Sequence, residues 1–282
     1  MSSQHNPILE PNLPNAGPSG VELPPGSAPS PEPNPATAGE NPPWTGWDVL
    51  QIAFLMFVTP FVILAGVAVL AHLLVYRTQA LTEVAQKPSL AILSEFLAYI
   101  GVLGFMVAMV QGKYHRRFYE ALRWNWPAKI WASLAALGVV LLFALQGLGH
   151  LLPIPKDLPL DKFFAHPTEA YLTSVFAISF GPFMEEVFFR GFLYPVLARR
   201  WGTVAGVALT ALGFGLLHGL QLGFAWGPVF IIFLVGAALT IVRAVTGSVG
   251  ASFVVHVAYN STLSLLTFVA TSGFHHLERL NQ

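Results

Sequence analysis

Long apolar stretches separated by short polar connections dominate the chain from residue 49 onward. Each stretch is close to the ~20 residues that an α-helix needs to cross the hydrocarbon core of a bilayer. This pattern predicts an all-α fold, a polytopic transmembrane helical bundle. The predicted spans number seven, and they cover residues 49–75, 90–111, 130–152, 169–198, 203–222, 227–245 and 248–271.

The first 46 residues have a different composition from the rest. They hold 12 of the chain's 22 prolines and no Lys or Arg. Such a segment cannot bury enough apolar surface to offset its chain entropy, so we predict a disordered Pro-rich tail. The predicted organisation is therefore a tail at 1–46, a transmembrane bundle at 47–272 and a C-terminal tail at 273–282.

The overall composition excludes several function classes. The chain is 54% hydrophobic and only 10% charged, whereas a soluble domain is roughly 25% charged. Its net charge is zero, which gives no electrostatic reason to expect a nucleic-acid partner, and the predicted partner is the lipid bilayer. The chain has no cysteine, so disulfides, thiolate metal ligands and a cysteine nucleophile are excluded.

The distribution of Lys and Arg predicts the orientation in the membrane. The connections after spans two, four and six, together with Arg243 at the end of span six, hold eight of these residues, and the other connections with the C-terminal tail hold five. We therefore predict a multi-pass integral protein of the cell membrane with a cytoplasmic N-terminus. Seven spans would place the C-terminus outside.

Two adjacent carboxylates, Glu185 and Glu186, lie inside the fourth apolar stretch. Each costs about 2.5 to 3.5 kcal/mol on insertion scales, so a functional role is expected. Arg190 is four residues after Glu186 and is predicted to pair with it on one helix face. An ion pair that only holds helices together would leave Glu185 without a role, so Glu185 is the candidate general base. Gly181 and Pro182 predict a kink shortly before it.

Two further apolar stretches carry polar residues at matching depth. At 1.5 Å per helical residue, Glu185 and His218 both lie roughly 22 Å from the predicted cytoplasmic end. On the last span, His256 lies at roughly 14 Å and Asn260 at roughly 20 Å from that end. We therefore predict that three helices bring these side chains together.

The residue types allow more than one kind of site. With Glu185, the two histidines either bind a metal or hold a water between base and imidazole. Asn260 lies one turn from His256 and is suited to stabilise an oxyanion, whereas Phe214 is interpreted as a packing residue. Other protease types lack support: there is no H-E-x-x-H motif, no aspartate pair within a span, and nothing further favours Ser252 as a nucleophile.

Three short motifs resemble those of one protease family. Residues 185–190 (EEVFFR) match E-E-x-x-x-R, residues 214–218 (FGLLH) match F-x-x-x-H, and residues 256–260 (HVAYN) match H-x-x-x-[ND]. In this order on separate spans, they resemble the CAAX-protease and bacteriocin-processing (CPBP or Abi) intramembrane protease family. The resemblance covers roughly residues 165–272.

The resemblance implies a helical bundle around a water-filled cavity, commonly with eight spans, so an eighth span is left open. It implies an endopeptidase similar to the enzymes that remove the last three residues of prenylated CAAX proteins. By this resemblance Glu185 would activate water, His218 would be its partner, and His256 with Asn260 would form the oxyanion hole. The other motif residues would support the site: Glu186, Arg190 and Phe214.

The leading hypothesis is a glutamate-dependent intramembrane endopeptidase that uses an activated water on a membrane-associated peptide or lipidated protein. One alternative is a non-catalytic bacteriocin-immunity or membrane-regulatory protein on the same fold. Another is a proton-coupled transporter, which would be expected to show repeat symmetry and two interrupted helices.

No cofactor is expected, although zinc is the alternative that the histidines leave open. Asn260 is a poor zinc ligand, and we expect Glu186 to serve Arg190 and not to orient a histidine, as a metal site would need. If a metal takes part, its ligands would be Glu185, His218 and His256.

Overall fold

Helices form all the regular secondary structure of residues 41–276, the part of the chain that this computed structural model describes. The ten α-helices are α1 Gly46–Leu74, α2 Leu81–Ala85, α3 Pro88–Ala108, α4 Phe118–Ala121, α5 Trp131–Gly149, α6 Pro167–Ile178, α7 Phe180–Glu186, α8 Tyr194–Leu217, α9 Trp226–Thr246 and α10 Val249–Ala270. Two π-helical segments, Met109–Lys113 and Val187–Leu193, continue α3 and α7, and a 3-10 helix covers Pro159–Phe164.

Six helical stretches within residues 41–276 are long and apolar enough to cross a membrane. They are Gly46–Leu74, Pro88–Lys113, Trp131–Gly149, Pro167–Leu217, Trp226–Thr246 and Val249–Ala270. The chain is therefore a multi-pass membrane protein that is all-helical over residues 41–276, as predicted. The count differs from the predicted seven, because Pro167–Leu217 is one 51-residue stretch that covers the predicted fourth span and most of the fifth. The presence of seven membrane spans stays a prediction.

That long stretch reverses direction within α8. Gly202 has φ 84° and ψ 165°, which is not helical and is a conformation that favours glycine. A Cβ atom on Gly206 would lie 2.9 Å from the backbone of Ala198, whereas eight residues of straight helix span about 12 Å. The arm before Gly202 and the arm after it therefore lie side by side.

A second interruption lies just before the two glutamates. Ser179, with φ −130° and ψ −92°, separates α6 from α7. The break is two residues before Gly181, so the predicted kink is found close to its expected place. The π-helical segment Val187–Leu193 was not predicted, and such segments occur frequently at functional sites.

Local sequence explains where several helices begin and end. Thr45 and Asp48 form a reciprocal capping box at the start of α1. Pro88 and Pro167 occupy the first positions of α3 and α6, where proline removes no helical hydrogen bond. Gly247 ends α9 in the left-handed conformation, with φ 66°.

The end of the predicted disordered tail is packed against the bundle. Trp44 is fully buried, and its indole N–H donates to the carbonyl of Phe192 at 3.1 Å. Arg199 donates to the carbonyl oxygens of Pro42 and Trp44. The last residues of the predicted tail at 1–46 therefore contact the bundle, and residues 1–40 lie outside the described range. In the predicted C-terminal tail Phe274 is also buried, and residues 277–282 lie outside that range.

Small residues allow the helices around the glutamates to approach closely. A Cβ atom on Gly138 of α5 would lie 2.4 Å from the carbonyl of Val255 in α10. A Cβ atom on Gly236 of α9 would lie 3.0 Å from the ring of Phe214 in α8. Close backbone contacts of this kind are typical of membrane bundles, and here they bring α5 against α10 and α8 against α9.

Candidate active site

Glu185 lies between two histidines that come from different helices. Its Oε1 atom is 3.6 Å from Nε2 of His218, and its Oε2 atom is 3.6 Å from Nε2 of His256. The side chains of Glu185 and His218 are about one-sixth exposed, and that of His256 is almost fully buried. The structure therefore brings α7, α8 and α10 together at these residues, in agreement with the depths estimated from sequence.

The other nitrogen of each imidazole has a partner that fixes the ring. Nδ1 of His218 donates to the carbonyl of Phe214 at 2.8 Å, and Nδ1 of His256 lies 2.9 Å from Oε1 of Glu186. Both rings thus present Nε2 to Glu185. A separation of 3.6 Å is longer than a direct hydrogen bond, and it is compatible with a water bound to carboxylate and imidazole.

Glu186 forms the predicted ion pair with Arg190. Arg190 Nη1 donates to Glu186 Oε1 at 2.9 Å, and both side chains are fully buried. Arg190 Nη2 also donates to the carbonyl of Gly236 on α9 at 2.9 Å. However, the same Oε1 atom contacts His256. The expectation that Glu186 would serve Arg190 and not orient a histidine is therefore wrong.

Phe214 packs against the three polar groups that surround the glutamates. Its ring centroid is 4.7 Å from that of His218 and 5.9 Å from that of His256. The guanidinium carbon of Arg190 lies 4.6 Å from the same centroid, within the range of a cation–π interaction. These contacts agree with the interpretation of Phe214 as a packing residue, and they make it a support for both imidazoles.

Asn260 contacts the interruption between α6 and α7. Its Nδ2 donates to the carbonyl of Ala177 at 2.7 Å, in the last turn of α6. The break at Ser179 leaves carbonyls of that turn without a regular helical donor, so the amide of Asn260 replaces one. The second N–H of the amide has no acceptor among residues 41–276.

The comparison with known proteins agrees with the motifs. Residues 167–262 match the family model described as "Type II CAAX prenyl endopeptidase Rce1-like". This match confirms the resemblance to the CAAX-protease family. All three motifs lie inside the matched segment, and the match supports a peptidase of the CAAX intramembrane type. The search of curated proteins and the search of solved structures found no match to the chain.

A third carboxylate faces this candidate site from α3. Glu95 lies close to Tyr99 of the same helix and interacts electrostatically with Glu185 and His218. Sequence reasoning did not include Glu95 among the site residues, because the residue is alone in its apolar stretch. The signal that could have found it is Tyr99, which lies four residues later on the same helix face.

The structure does not support Ser252 as a catalytic nucleophile. The hydroxyl of Ser252 is fully buried and donates to the carbonyl of Val249 within its own helix at 3.0 Å. The two histidine side chains point their Nε2 atoms at Glu185 instead. Ser252 is therefore engaged in local helix structure.

The residues around Glu185 meet some requirements of a metal site but not others. The ligand types suit zinc, and each imidazole has a carbonyl or carboxylate on Nδ1, as metal-binding histidines usually do. In residues 41–276, however, no group of three His, Cys, Asp or Glu side chains is arranged to hold a metal ion. The described residues therefore do not form a complete metal site.

Proposed function

We propose that the chain is a glutamate-dependent intramembrane endopeptidase that hydrolyses a peptide bond of a membrane-associated or lipidated substrate. The observation that carries the proposal is the convergence of two histidine Nε2 atoms on the two oxygens of Glu185, each at 3.6 Å. Both rings are held by partners on Nδ1. A preorganised base and imidazole are what activation of a water requires.

In the proposed reaction Glu185 is the general base. A water bound between Glu185 and Nε2 of His218 gives a proton to the carboxylate while its oxygen attacks the carbonyl carbon of the scissile bond. When the tetrahedral intermediate collapses, the proton on Glu185 passes to the nitrogen of the leaving amine. His218 holds the water, because its N–H donates to the Phe214 carbonyl and Nε2 is left as the acceptor.

We assign the developing oxyanion to His256 and Asn260. A protonated His256 donates from Nε2, and the carboxylate of Glu186 on its Nδ1 stabilises the resulting positive charge. Asn260 donates through the N–H that does not contact Ala177. Donors aimed at the oxyanion in a water-poor site contribute strongly to rate.

We also propose seven membrane crossings with a cytoplasmic N-terminus. Lys113 lies 2.6 Å from Asp48 and Arg199 donates to the Pro42 carbonyl, so α1 begins at the end where α3 finishes and α8 turns. The reversal at Gly202 supports two crossings in the long helical stretch. Lys and Arg are concentrated at this end, which favours a cytoplasmic location.

The test of function is cleavage by the purified full-length protein. The substrates are C-terminal peptides offered in matched lipidated and unlipidated forms, with products identified by mass spectrometry. The proposal predicts cleavage by wild type and by Glu83→Ala, an exposed carboxylate of α2, but not by Glu185→Ala. If wild type and Glu185→Ala give identical product patterns on every peptide, the proposal is wrong.

A further inference from the structure

A cavity lined by arginines lies at the end of the bundle where α1 begins and α9 ends. Its volume is about 620 Å³. Its charged lining consists of five arginines and one glutamate: Arg116, Arg117, Arg123, Arg199, Arg243 and Glu120. We call it the arginine cavity. Neither Glu185 nor either of the histidines that contact it lines this cavity.

One wall of the arginine cavity is built from ordered side chains. Arg243, in the last turn of α9, is 1% exposed, and its guanidinium carbon lies 5.6 Å from the ring centroid of Tyr194. Arg199 donates to the Pro42 carbonyl at 2.8 Å and to the Trp44 carbonyl at 3.1 Å. These two guanidinium groups are therefore held in place before any ligand binds.

Two further arginines of the lining, Arg116 and Arg117, have guanidinium N–H groups available to a ligand. Arg116 is exposed, and its side chain has no hydrogen bond or ion pair with any residue of the described range 41–276. Arg117 pairs with Glu120 at 2.7 Å, and both side chains are mostly exposed. The cavity thus has one carboxylate against five guanidinium groups, and it suits an anion with several oxygens. Guanidinium groups match phosphate in a bidentate geometry.

A second, smaller cavity indicates where the anion comes from. It measures about 360 Å³ and shares Arg117 and Glu120 with the arginine cavity. Its apolar lining includes Leu103 and Val107 of α3 and Phe118 of α4. We call it the apolar groove. Because it runs from the charged residues to a membrane-spanning helix, it suits a hydrocarbon chain attached to the anion.

The surroundings are those of a membrane surface. Tyr119 and Trp126, which flank this region, are 55% and 61% exposed, and such aromatic residues are enriched where a membrane meets water. Three buried aromatic side chains lie beside the arginine cavity: Trp44, Phe118 and Phe192. Phe192 belongs to the helical stretch that carries the glutamates. The arginine cavity is therefore a site separate from the one around Glu185.

We propose that the arginine cavity binds the phosphate of an anionic membrane lipid, with an acyl chain of that lipid in the apolar groove. Phosphate is the chemistry that the arginines recognise, and the groove identifies a lipid, not a free phosphate, as its source. Such a lipid would bridge residues before α1, the connection around α4 and the ends of α8 and α9. The inference does not depend on the proposed peptidase activity.

The experiment measures lipid retention by the purified full-length protein in detergent, using native mass spectrometry. Phosphatidylglycerol is titrated as the anionic lipid, phosphatidylcholine as the zwitterionic one, and inorganic phosphate as the free anion. The variant is Arg116→Gln/Arg117→Gln, since both side chains are exposed. The matched control is Arg200→Gln, an exposed arginine at the same end of the bundle that does not line the cavity.

Wild type and Arg200→Gln are expected to retain phosphatidylglycerol at least ~10-fold more tightly than phosphatidylcholine, a difference of about 1.4 kcal/mol. The double variant should lose roughly fivefold in phosphatidylglycerol affinity per arginine removed, or about 25-fold. Equal retention of the two lipids, or equal losses in the control and the double variant, would overturn the proposal. Inorganic phosphate that binds as tightly as phosphatidylglycerol would show that the site takes a soluble anion, and would overturn the lipid assignment.

Discussion

The carboxylate of Glu186 contacts Nδ1 of His256 at 2.9 Å, while Glu185 faces Nε2 of the same ring at 3.6 Å. Neighbouring residues of a helix point about 100° apart, so they cannot both face one small ligand. They can, however, flank one imidazole from two sides. The two glutamates thus have different roles: Glu186 orients the ring of His256, and Glu185 is the carboxylate that the ring faces.

Replacement of Glu186 should therefore damage both the fold and the reaction. Glu186→Gln removes the charge that Arg190 and His256 share, in a site where both partners of the ion pair are fully buried. We expect a loss of about 3–5 kcal/mol in the free energy of unfolding, because an uncompensated guanidinium is left in the interior. The measurement is thermal or denaturant unfolding in detergent, with peptide cleavage measured in parallel.

The matched control is Glu120→Gln, because Glu120 also pairs with an arginine but is mostly exposed. Its stability should stay near that of wild type, since exposed pairs contribute little. If Glu120→Gln and Glu186→Gln lower the free energy of unfolding equally, burial of the Glu186–Arg190 pair does not explain the effect of Glu186→Gln.

Phe214 is predicted to act through the histidines it supports. Phe214→Leu keeps an apolar side chain but removes the ring that contacts His218, His256 and Arg190. We expect kcat to fall roughly tenfold or more with little change in KM, because small displacements of catalytic groups are costly. Phe230→Leu is the control, since that ring is 40% exposed. Equal kinetics in the two variants would contradict the supporting role of Phe214.

The membrane topology can be tested by single-cysteine labelling, because the chain has no native thiol. Cysteines at positions 120 and 201 should react from the cytoplasmic side, and one at position 156 should react from the opposite side. Labelling of position 120 only from outside would contradict the orientation. Labelling of all three positions from one side would contradict the proposed path of the chain.

We predict that the reaction does not need a metal. Exhaustive chelation should leave peptide cleavage intact, and elemental analysis of the purified protein should find no stoichiometric metal. The contrary result is activity lost with EDTA and restored by one equivalent of zinc, together with loss of bound metal in His218→Ala. That outcome would make Glu185, His218 and His256 ligands.

Much of the site was predictable, because its information is local in sequence. Helical spacing places Glu186 beside Arg190, and the rise per residue places His218 at the depth of Glu185. These rules need only the position of each residue along a helix. The apolar stretches likewise predict the membrane helices, since length and hydropathy determine which segments can span a bilayer.

What was missed depends on contacts between distant parts of the chain. The contact of Glu186 with His256 joins residues 70 positions apart, and that of Asn260 with Ala177 joins residues 83 apart. The latter also requires the position of the break at Ser179, which Gly181 and Pro182 predict only to within two residues. The burial of Trp44 has the same cause, because its partner is the distant carbonyl of Phe192.

The central claim is tested most directly by the turnover of Glu185→Gln. Glutamine keeps the shape of the side chain but cannot accept the proton of the attacking water. On a peptide that wild type cleaves, and with unfolding temperatures matched, the account predicts that Glu185→Gln lowers kcat by at least ~100-fold. A well-folded Glu185→Gln variant that cleaves the same peptide at the wild-type rate would contradict it.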